Sequence, residues 1–327
     1  MKKRAFLTAM TAVAAGALLA TTVHAQDAWP SKPVRLVIPW GAGGATDVVG
    51  RMLAEELRAD LGQSFVVENQ TGASGMIGAA RVSKAPADGY TLLFTTNVQV
   101  INPAIRKNMA YDAVKDFTPI ALVGYAANVL VVKSDAPWKT HQEYAAAAKA
   151  DPGGMTFATP GFGTSTHFAG EQFGQLTGTR FTNIPYNSTT AMAQSVMAGD
   201  VKSTWLTGQG AAPYVKNGQL RVLGVASEKR SFFLPDSPTF AELGMNNLVS
   251  ETWWGVFAPP GLPAPIATKL SSTISAALAK PAIQEKMRAA GLDRAQPVVG
   301  NDFRALMLKD IDLYKNVVKA NNIQLLD

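Results

Sequence analysis

A short apolar run that breaks at proline into a glycine-rich turn and resumes as an amphipathic segment can fold in few ways. This chain has such a stretch at Val34 to Arg51, VRLVIPWGAGGATDVVGR. Val34, Leu36, Val37 and Ile38 predict a buried strand, Pro39 ends it, and Gly41, Gly43 and Gly44 permit backbone angles that side chains forbid. Thr46 or Asp47 is the expected N-cap of a helix that carries Val49, Met52, Leu53, Leu57 and Leu61 on one face and stops before Gly62. The first amides of such a helix lack partners, and its dipole places about half a positive charge there, so an anion is the natural guest. A tight turn without any guest uses the same residues. Nucleotide loops fit poorly. A phosphate loop needs Gly-Lys before Ser or Thr, and this one ends in Thr46-Asp47. A dinucleotide fingerprint needs glycine where Thr46 stands, and Asp47 would repel a pyrophosphate unless it turned inward to cap.

The unit recurs along the chain. FVVEN (Phe65 to Asn69) leads into TGASGMIGAARVSKA, and Asp88-Gly89 turns the chain into YTLLFTT, which ends at the polar Thr95, Thr96 and Asn97. Strands alternating with helices imply a parallel sheet whose ligands lie beyond the carboxyl ends of the strands, so these three loops share one edge. Asp116 to Trp138 reads as a β-rich crossover into a second domain. There Thr140 caps a helix, and MTFATPGFGTSTHFAGEQFGQLTG repeats strand, loop and helix. Thr159, Gly161 and Gly163 form that loop, and Thr164, Ser165 and Thr166 open the helix, adding O–H donors to its amides where ordinary capping needs only one hydroxyl. In FTNIPYNSTTAMAQSVMAGDV a strand ends at Pro185-Tyr186 and a helix begins near Ser188 to Thr190. Another strand, a glycine loop and the strand Leu220 to Ala226 precede SETWWGVFAPPGLP, the expected return crossover. Helices are predicted at Pro265 to Ala279, Pro281 to Ala290 and Asn301 to Ala320. The expected α/β architecture has lobe 1 at 26–125 and 251–327, lobe 2 at 126–250, and a hinge at two crossings, Val123 to Val131 and Ser250 to Ala258.

Met1 to Ala25 has Lys2, Lys3 and Arg4, then a Leu/Ala/Val/Thr-rich stretch and Val23-His24-Ala25, the pattern of a secretory signal peptide cut after Ala25. Without cysteine there is no disulfide and no site for a lipid, so the mature chain is expected free in a Gram-negative periplasm. Losing three cationic residues lowers the formal charge from +6 to about +3, and no basic cluster remains to recruit nucleic acid. The 302 residues left exceed the usual single domain, and none of their segments approaches the roughly 18 apolar residues of a membrane span.

Several stretches, in order and spacing, carry a family resemblance across essentially the whole mature chain. They are WPSKPVRLVIPWGAGGATDVVGR, VVENQTGASGMIGAARVSKAPADGYTLL, YDAVKDFTPIALV, AKADPGGMTFATPGFGTSTHFAGE, IPYNSTTAM, NGQLRVLGVAS, LPDSPTFAELG and WWGVFAPPGLP. The chain resembles the periplasmic solute-binding proteins of tripartite tricarboxylate transporters, the TctC or Bordetella uptake family. The resemblance implies a type II Venus-flytrap of two α/β lobes that closes on a small carboxylate and hands it to membrane permease subunits. It implies no catalysis, no cofactor and no metal, and the protein is expected to be a monomer. One end of the ligand is expected at Pro39 to Asp47, thus Trp40, Gly41, Ala42, Gly43, Gly44, Thr46 and Asp47, and at Gly72 to Gly78 with Ser74, partly through water; Asn97 joins that edge. The other end is expected at Thr159, Gly161, Phe162, Gly163, Thr164, Ser165, Tyr186, Asn187 and Ser188. In the family, lysine and glycine follow the Pro-Tyr pair; here Asn187 and Ser188 replace them and remove that charge.

None of these loops contains Arg or Lys, so amides, hydroxyls and helix starts would hold the carboxylate through charge-assisted hydrogen bonds. A di- or tricarboxylate and an acidic amino acid fit such a site. Trp40, Phe162, Tyr186 and Trp205 could also wall it for an aromatic acid, although aromatics near loops often only pack. A secreted hydrolase is the rival class. His141 opens an alanine-rich helix and is expected to be exposed, while His167 and Glu171 share a helix face without H-E-x-x-H or a third metal ligand. Ser74 misses the G-x-S-x-G elbow, and Ser165 and His167 diverge at one helix start. A partner that presents bound ligand to a sensor would use the same fold.

Overall fold

The computed structural model describes residues 29–186 and 188–327; the leader expected at 1–25 and the loop residue Asn187 lie outside them. The chain opens with β1 (Val34–Ile38), α1 (Ala45–Leu61) and β2 (Phe65–Asn69). A 3-10 turn at Ala73–Gly75 then leads into α2 (Met76–Ser83), β3 (Thr91–Thr96) and α3 (Val98–Ile105). Helix α1 forms where the apolar spacing puts it. Val49, Leu53 and Leu57 are buried, and Gly62, at φ 72°, ends the helix by donating its N–H to the Arg58 carbonyl. Strand β1 lies between β2 and β3 and parallel to both, so the loops after all three leave the sheet on one edge.

The long strand β4 (Thr118–Lys133) comes next, followed by α4 (His141–Ala150), β5 (Thr156–Thr159) and α5 (Ser165–Thr177). Then come β6 (Thr182–Pro185), α6 (Thr189–Ala198), β7 (Ser203–Thr207), α7 (Gly208–Lys216) and β8 (Leu220–Ala226). The chain returns through β9 (Glu251–Ala258), α8 (Ala264–Ala279), α9 (Pro281–Ala289), β10 (Val298–Val299) and α10 (Gly300–Ala320).

Pairing fixes the direction of every strand. β9 is antiparallel to β3 and β4 is antiparallel to β9, so β4 runs with β1–β3 and carries the chain out past their carboxyl ends. β7 and β8 are antiparallel to β4, and β5 is parallel to β6 and β7, so this second group points back at the first. The carboxyl edges of the two groups therefore face each other. The last residue of β3, Thr96, lies opposite Trp254 of β9, which pairs with Gly124 of β4, while β7 and β8 end opposite Asn128. Only Tyr125, Ala126 and Ala127 separate the two edges along β4. At a strand rise near 3.3 Å per residue the gap is about 13 Å. The sheet is mixed rather than parallel as expected, because one strand must carry the chain out of the first group and another bring it back.

Each group is covered on both faces. Leu53 of α1, Leu270 of α8 and Met287 of α9 pack on one face of the first group, and Ile101 of α3 and Met307 of α10 on the other. In the second group Met192 of α6 and Ala211 of α7 cover one face, and Tyr144 of α4 and Phe173 of α5 the other.

The three residues spanning the gap are gripped by the segment after α9. Tyr125 donates its N–H to the Arg294 carbonyl at 2.9 Å, and Asp293 donates its N–H to the Tyr125 carbonyl at 2.8 Å. Ala127 donates its N–H to the Asp293 carboxylate at 2.7 Å. The Arg294 guanidinium binds both oxygens of Glu251 at 2.6 and 2.8 Å and lies 4.0 Å from the Tyr125 ring centroid. The approach depends on Gly124, where an added Cβ would sit 2.5 Å from the Arg294 carbonyl oxygen and 2.5 Å from a Leu292 methyl. Gly124→Ala should therefore cost about 1–3 kcal/mol of stability. Urea unfolding measures it, and an unchanged midpoint would contradict this packing.

Candidate functional site

Six helices begin at the facing edges: α1, α2 and α3 after β1, β2 and β3, and α5, α6 and α7 after β5, β6 and β7. Their starts differ. In the second group each N-cap hydroxyl accepts an N–H of the first turn: Thr164 from His167 at 3.3 Å, Ser188 from Ala191 at 3.1 Å and Thr207 from Gly210 at 3.3 Å. In the first group the N-caps are Gly44, Gly75 and Asn97, and none supplies a side-chain cap. No cap side chain takes the first-turn amides on that side, although the Val98 N–H of α3 reaches the Thr96 hydroxyl at 3.5 Å and the Met76 N–H of α2 the Ala73 carbonyl.

The cap of α1 differs from expectation. It is Gly44, not Thr46 or Asp47. Thr46 accepts a hydrogen bond from the Trp254 indole at 3.1 Å, and Asp47, buried in the first turn, reaches back to the loop. Its carboxylate accepts from the Gly43 N–H at 2.9 Å, the Arg51 guanidinium at 2.9 Å and the Asn69 amide at 2.8 Å. Burial pushes the Asp47 carboxyl up, but these donors outweigh it and hold it below the usual carboxylate value. Asp47 therefore shapes the loop and presents no free oxygen to a ligand. Asn69, which sequence reasoning passed over, also donates to the Trp40 carbonyl at 2.9 Å; its position at the carboxyl end of a strand was the available signal. Gly41, Ala42, Gly43 and Gly44 are exposed, and Trp40 is half-buried against the core.

Ala73 and Ser74 are both left-handed, at φ 46° and 52°, a conformation non-glycine residues enter only when their surroundings impose it. The Asn102 amide, 3.3 Å from the Ser74 carbonyl, helps to impose it. Asn97 faces inward, donating its amide to the Glu251 carbonyl at 2.9 Å and to the Tyr314 hydroxyl at 3.2 Å. Across the gap Thr159 is buried and donates to Asn183 at 2.7 Å, while Gly161 returns an N–H to the Thr159 hydroxyl at 3.2 Å. Thr164 donates to the Gly161 carbonyl at 2.9 Å, so the loop folds back on its own cap. Gly163 passes close to Ile105 at the end of α3, where an added Cβ would lie 2.3 Å from its Cδ1. Ser165 bonds Thr252 at 2.6 Å. Tyr186 is half-buried and donates its N–H to the Thr159 carbonyl at 2.9 Å.

Two aromatic expectations change. Trp205 is 1 % exposed and packs in the core between Phe173 and Phe240, so it walls no pocket. Phe162 turns to the His167 ring at 4.6 Å. His141 is not exposed: at 4 % exposure it sits edge-on to Phe240 at 5.5 Å, and burial lowers its pKa. His167 lies 3.5 Å from the Gly163 N–H through Nδ1 and 3.5 Å from Glu171 through Nε2. Burial lowers the His167 pKa to about 4 and raises that of Glu171 to about 7, with Arg180 pulling the latter back.

The geometry is thus two opposed sets of strand ends ringed by helix starts, the arrangement of a protein that binds between them. Comparison with known proteins gives the lineage. The family model described as the tripartite tricarboxylate transporter family receptor matches residues 49–323. A UPF0065 protein from the gbd 5′ region of Cupriavidus necator is 39% identical over 282 residues, 84% of each chain. Among solved structures, the periplasmic binding protein BugD is similar at 30% identity, with a TM-score of 0.76 over 91% of this chain and 100% of that one. Rpa4515 of R. palustris with adipate matches at 31% identity and TM-score 0.79, over 91% of this chain and 100% of that one. MatC of Rhodopseudomonas palustris with bound malate matches at 28% and 0.75, over 89% and 100%. The chain belongs to the tripartite tricarboxylate transporter receptor (TctC) family and has the mixed α/β fold of periplasmic binding proteins.

Two outcomes are expected at this site. Asp47→Ala frees the Gly43 and Asn69 donors and should cost about 1–3 kcal/mol of stability by urea unfolding; a loss below a few tenths would mean that the loop needs no anchor. The His167–Glu171 pair predicts a pH signature. In the unfolded chain the histidine takes its proton below 6.5 and the glutamate loses its own above 4.5. The unfolded pair therefore holds one proton between those values, and so does the folded pair, whichever residue carries it. Wild-type stability gains no slope from the pair in that window. Glu171→Gln removes the compensation: the unfolded state alone then takes up a proton as pH falls below 6.5. The variant should lose about 2–3 kcal/mol relative to wild type between roughly pH 6.5 and 4.5. Parallel stability curves for the two proteins would contradict this.

Proposed function

We propose that the protein is a periplasmic solute-binding protein that captures a small carboxylate between two lobes and delivers it to the membrane permease of a tripartite tricarboxylate-type transporter. One observation carries the proposal. Helix starts from two strand groups face each other across the gap, and those of the first group carry no side-chain cap. Such a site offers N–H donors and positive dipole ends without a fixed cation, which suits an anion that must be released again. Adipate on Rpa4515 and malate on MatC support a linear dicarboxylate as the ligand class. With Trp205 enclosed in the core, one of four expected walls for an aromatic acid is absent, which favours aliphatic acids. In this proposal 26–125 with 251–327 forms one lobe and 126–250 the other, and Tyr125 to Ala127 with Glu251 to Trp253 forms the hinge. The first 25 residues act as the export signal.

The test is calorimetric titration of the purified protein with malate, adipate, citrate, glutamate and benzoate. Binding of one aliphatic carboxylate per chain, with no ligand consumed, is expected; a protein that binds none of them would overturn the proposal. The residue-level arm uses Thr164→Asp, which sets a second negative charge near the ligand carboxylate. At about 4 Å and an effective dielectric near 20 the repulsion is roughly 4 kcal/mol, on the order of a thousandfold in affinity. Aspartate keeps the cap on the His167 N–H but loses the bond that Thr164 donates to the Gly161 carbonyl, so the empty protein should lose about 1 kcal/mol of stability, far less than the expected loss of affinity. Thr140→Asp is the control: Thr140 caps α4 in the same way, accepting from Glu143 at 3.2 Å, but follows the far end of β4. Equal affinity in the two variants would remove Thr164 from the site.

A further inference from the structure

We infer that Asn128 orients the ligand at the floor of the cleft, its side-chain amide N–H groups reading a carboxylate oxygen of the captive acid. The inference rests on the proposed carboxylate function and adds to it a residue that no loop motif contains. Asn128 stands where β4 changes partners. Ala127 is the last residue opposite β9, and Asn128 is the first opposite β7 and β8, facing Thr207 and Ala226 at their carboxyl ends. In open α/β sheets such a switch in strand order, at carboxyl ends, is where ligands sit.

The hydrogen bonds around it set a direction. The Asn128 Oδ1 accepts from the Thr252 hydroxyl at 3.3 Å, and Thr252 Oγ1 lies 2.6 Å from Ser165 Oγ. In this orientation of the amide Thr252 gives its single proton to Oδ1, and the Ser165 hydroxyl then donates to Thr252. Ser165 is the first residue of α5, held also by the Ser250 hydroxyl on its carbonyl at 3.2 Å. This chain of bonds satisfies Oδ1 and leaves Nδ2 with no partner among the described residues, although Asn128 is 0 % exposed. Turning the amide over would satisfy Nδ2 at Thr252 and orphan Oδ1 instead, so one end lacks a partner in either orientation. In the orientation the structure holds Thr252 donates and the free end is donor-only, whereas the turned amide would present an acceptor. A donor-only pair matches a carboxylate oxygen and no cation. Because the relay starts at α5, the helix that brings Thr164 to the gap also sets the direction of the Asn128 amide.

The experiment titrates wild type, Asn128→Leu and Asn128→Asp with malate and with adipate by calorimetry. It also follows the Asn128 side-chain amide of wild type by NMR after selective ¹⁵N-asparagine labelling. Asn128→Leu removes a buried unpaired donor but also the acceptor of the Thr252 hydroxyl, so the Tm of the empty protein should change little, while both acids weaken by at least about tenfold. Asn128→Asp should weaken them further, and the labelled amide pair should shift on saturation. Binding by wild type with unchanged affinity in Asn128→Leu would overturn the inference and leave the carboxylate function standing. An amide pair that does not move on saturation would overturn it as well, even if neither variant folds. If wild type binds neither acid the same titrations are run with citrate, glutamate and benzoate, and a wild type that binds none of the five would defeat the carboxylate proposal itself, and this assignment with it.

Discussion

Everything in this protein depends on one strand belonging to two sheets at once. β4 pairs with β9 and β10 over its first part and with β7 and β8 over its second, so it is central in both groups. Its direction, parallel to β1–β3 and opposed to β7 and β8, is what makes two sets of carboxyl ends meet. The gap is then no accident of loop packing. It lies where strands end from both sides. The contacts of Asp293 and Arg294 with Tyr125 and Ala127 act on this crossing, along the edge of β4 that β9 does not pair.

The electrostatics of the gap follow from how each group spends its hydroxyls. In the second group Thr164, Ser188 and Thr207 are committed to caps, each holding one N–H of its helix start. In the first group glycine stands at two of the three caps, and the acid nearest them, Asp47, is turned away and neutralised by Arg51, Asn69 and Gly43. A negative side chain one turn into α1 would otherwise cancel the dipole that makes the site attractive to anions. Turning it inward removes that conflict and stiffens the loop at once.

What could be read from the sequence was what neighbouring residues decide. The stop of α1 at Gly62, the Thr140 cap, the helix starts at Thr164 to Thr166 and near Ser188 to Thr190, and the strand Leu220 to Ala226 all depend on a few adjacent positions, and all form as expected. The misreadings came from partners far along the chain. His141 looks like a solvated helix start until Phe240 covers it, and Trp205 looks like a pocket wall until Phe173 and Phe240 enclose it. Asp47 has a good local reason to cap α1, yet Asn69, fixed by the pairing of β1 with β2, draws it the other way. Asn128 lies inside an apolar run, and only the register of three strands shows that it stands at a crossing.

The return through β9 also orders events during synthesis. Strand β3 emerges early, but the partner for its outer edge, Glu251–Ala258, is more than 150 residues away in the chain, and α10, which covers α3, comes later still. The stretch from β4 to β8 is continuous and can pair internally as soon as it is made. The part of the protein that begins the chain is therefore the last to be finished, and until then β3 presents an unpaired edge to any passing strand.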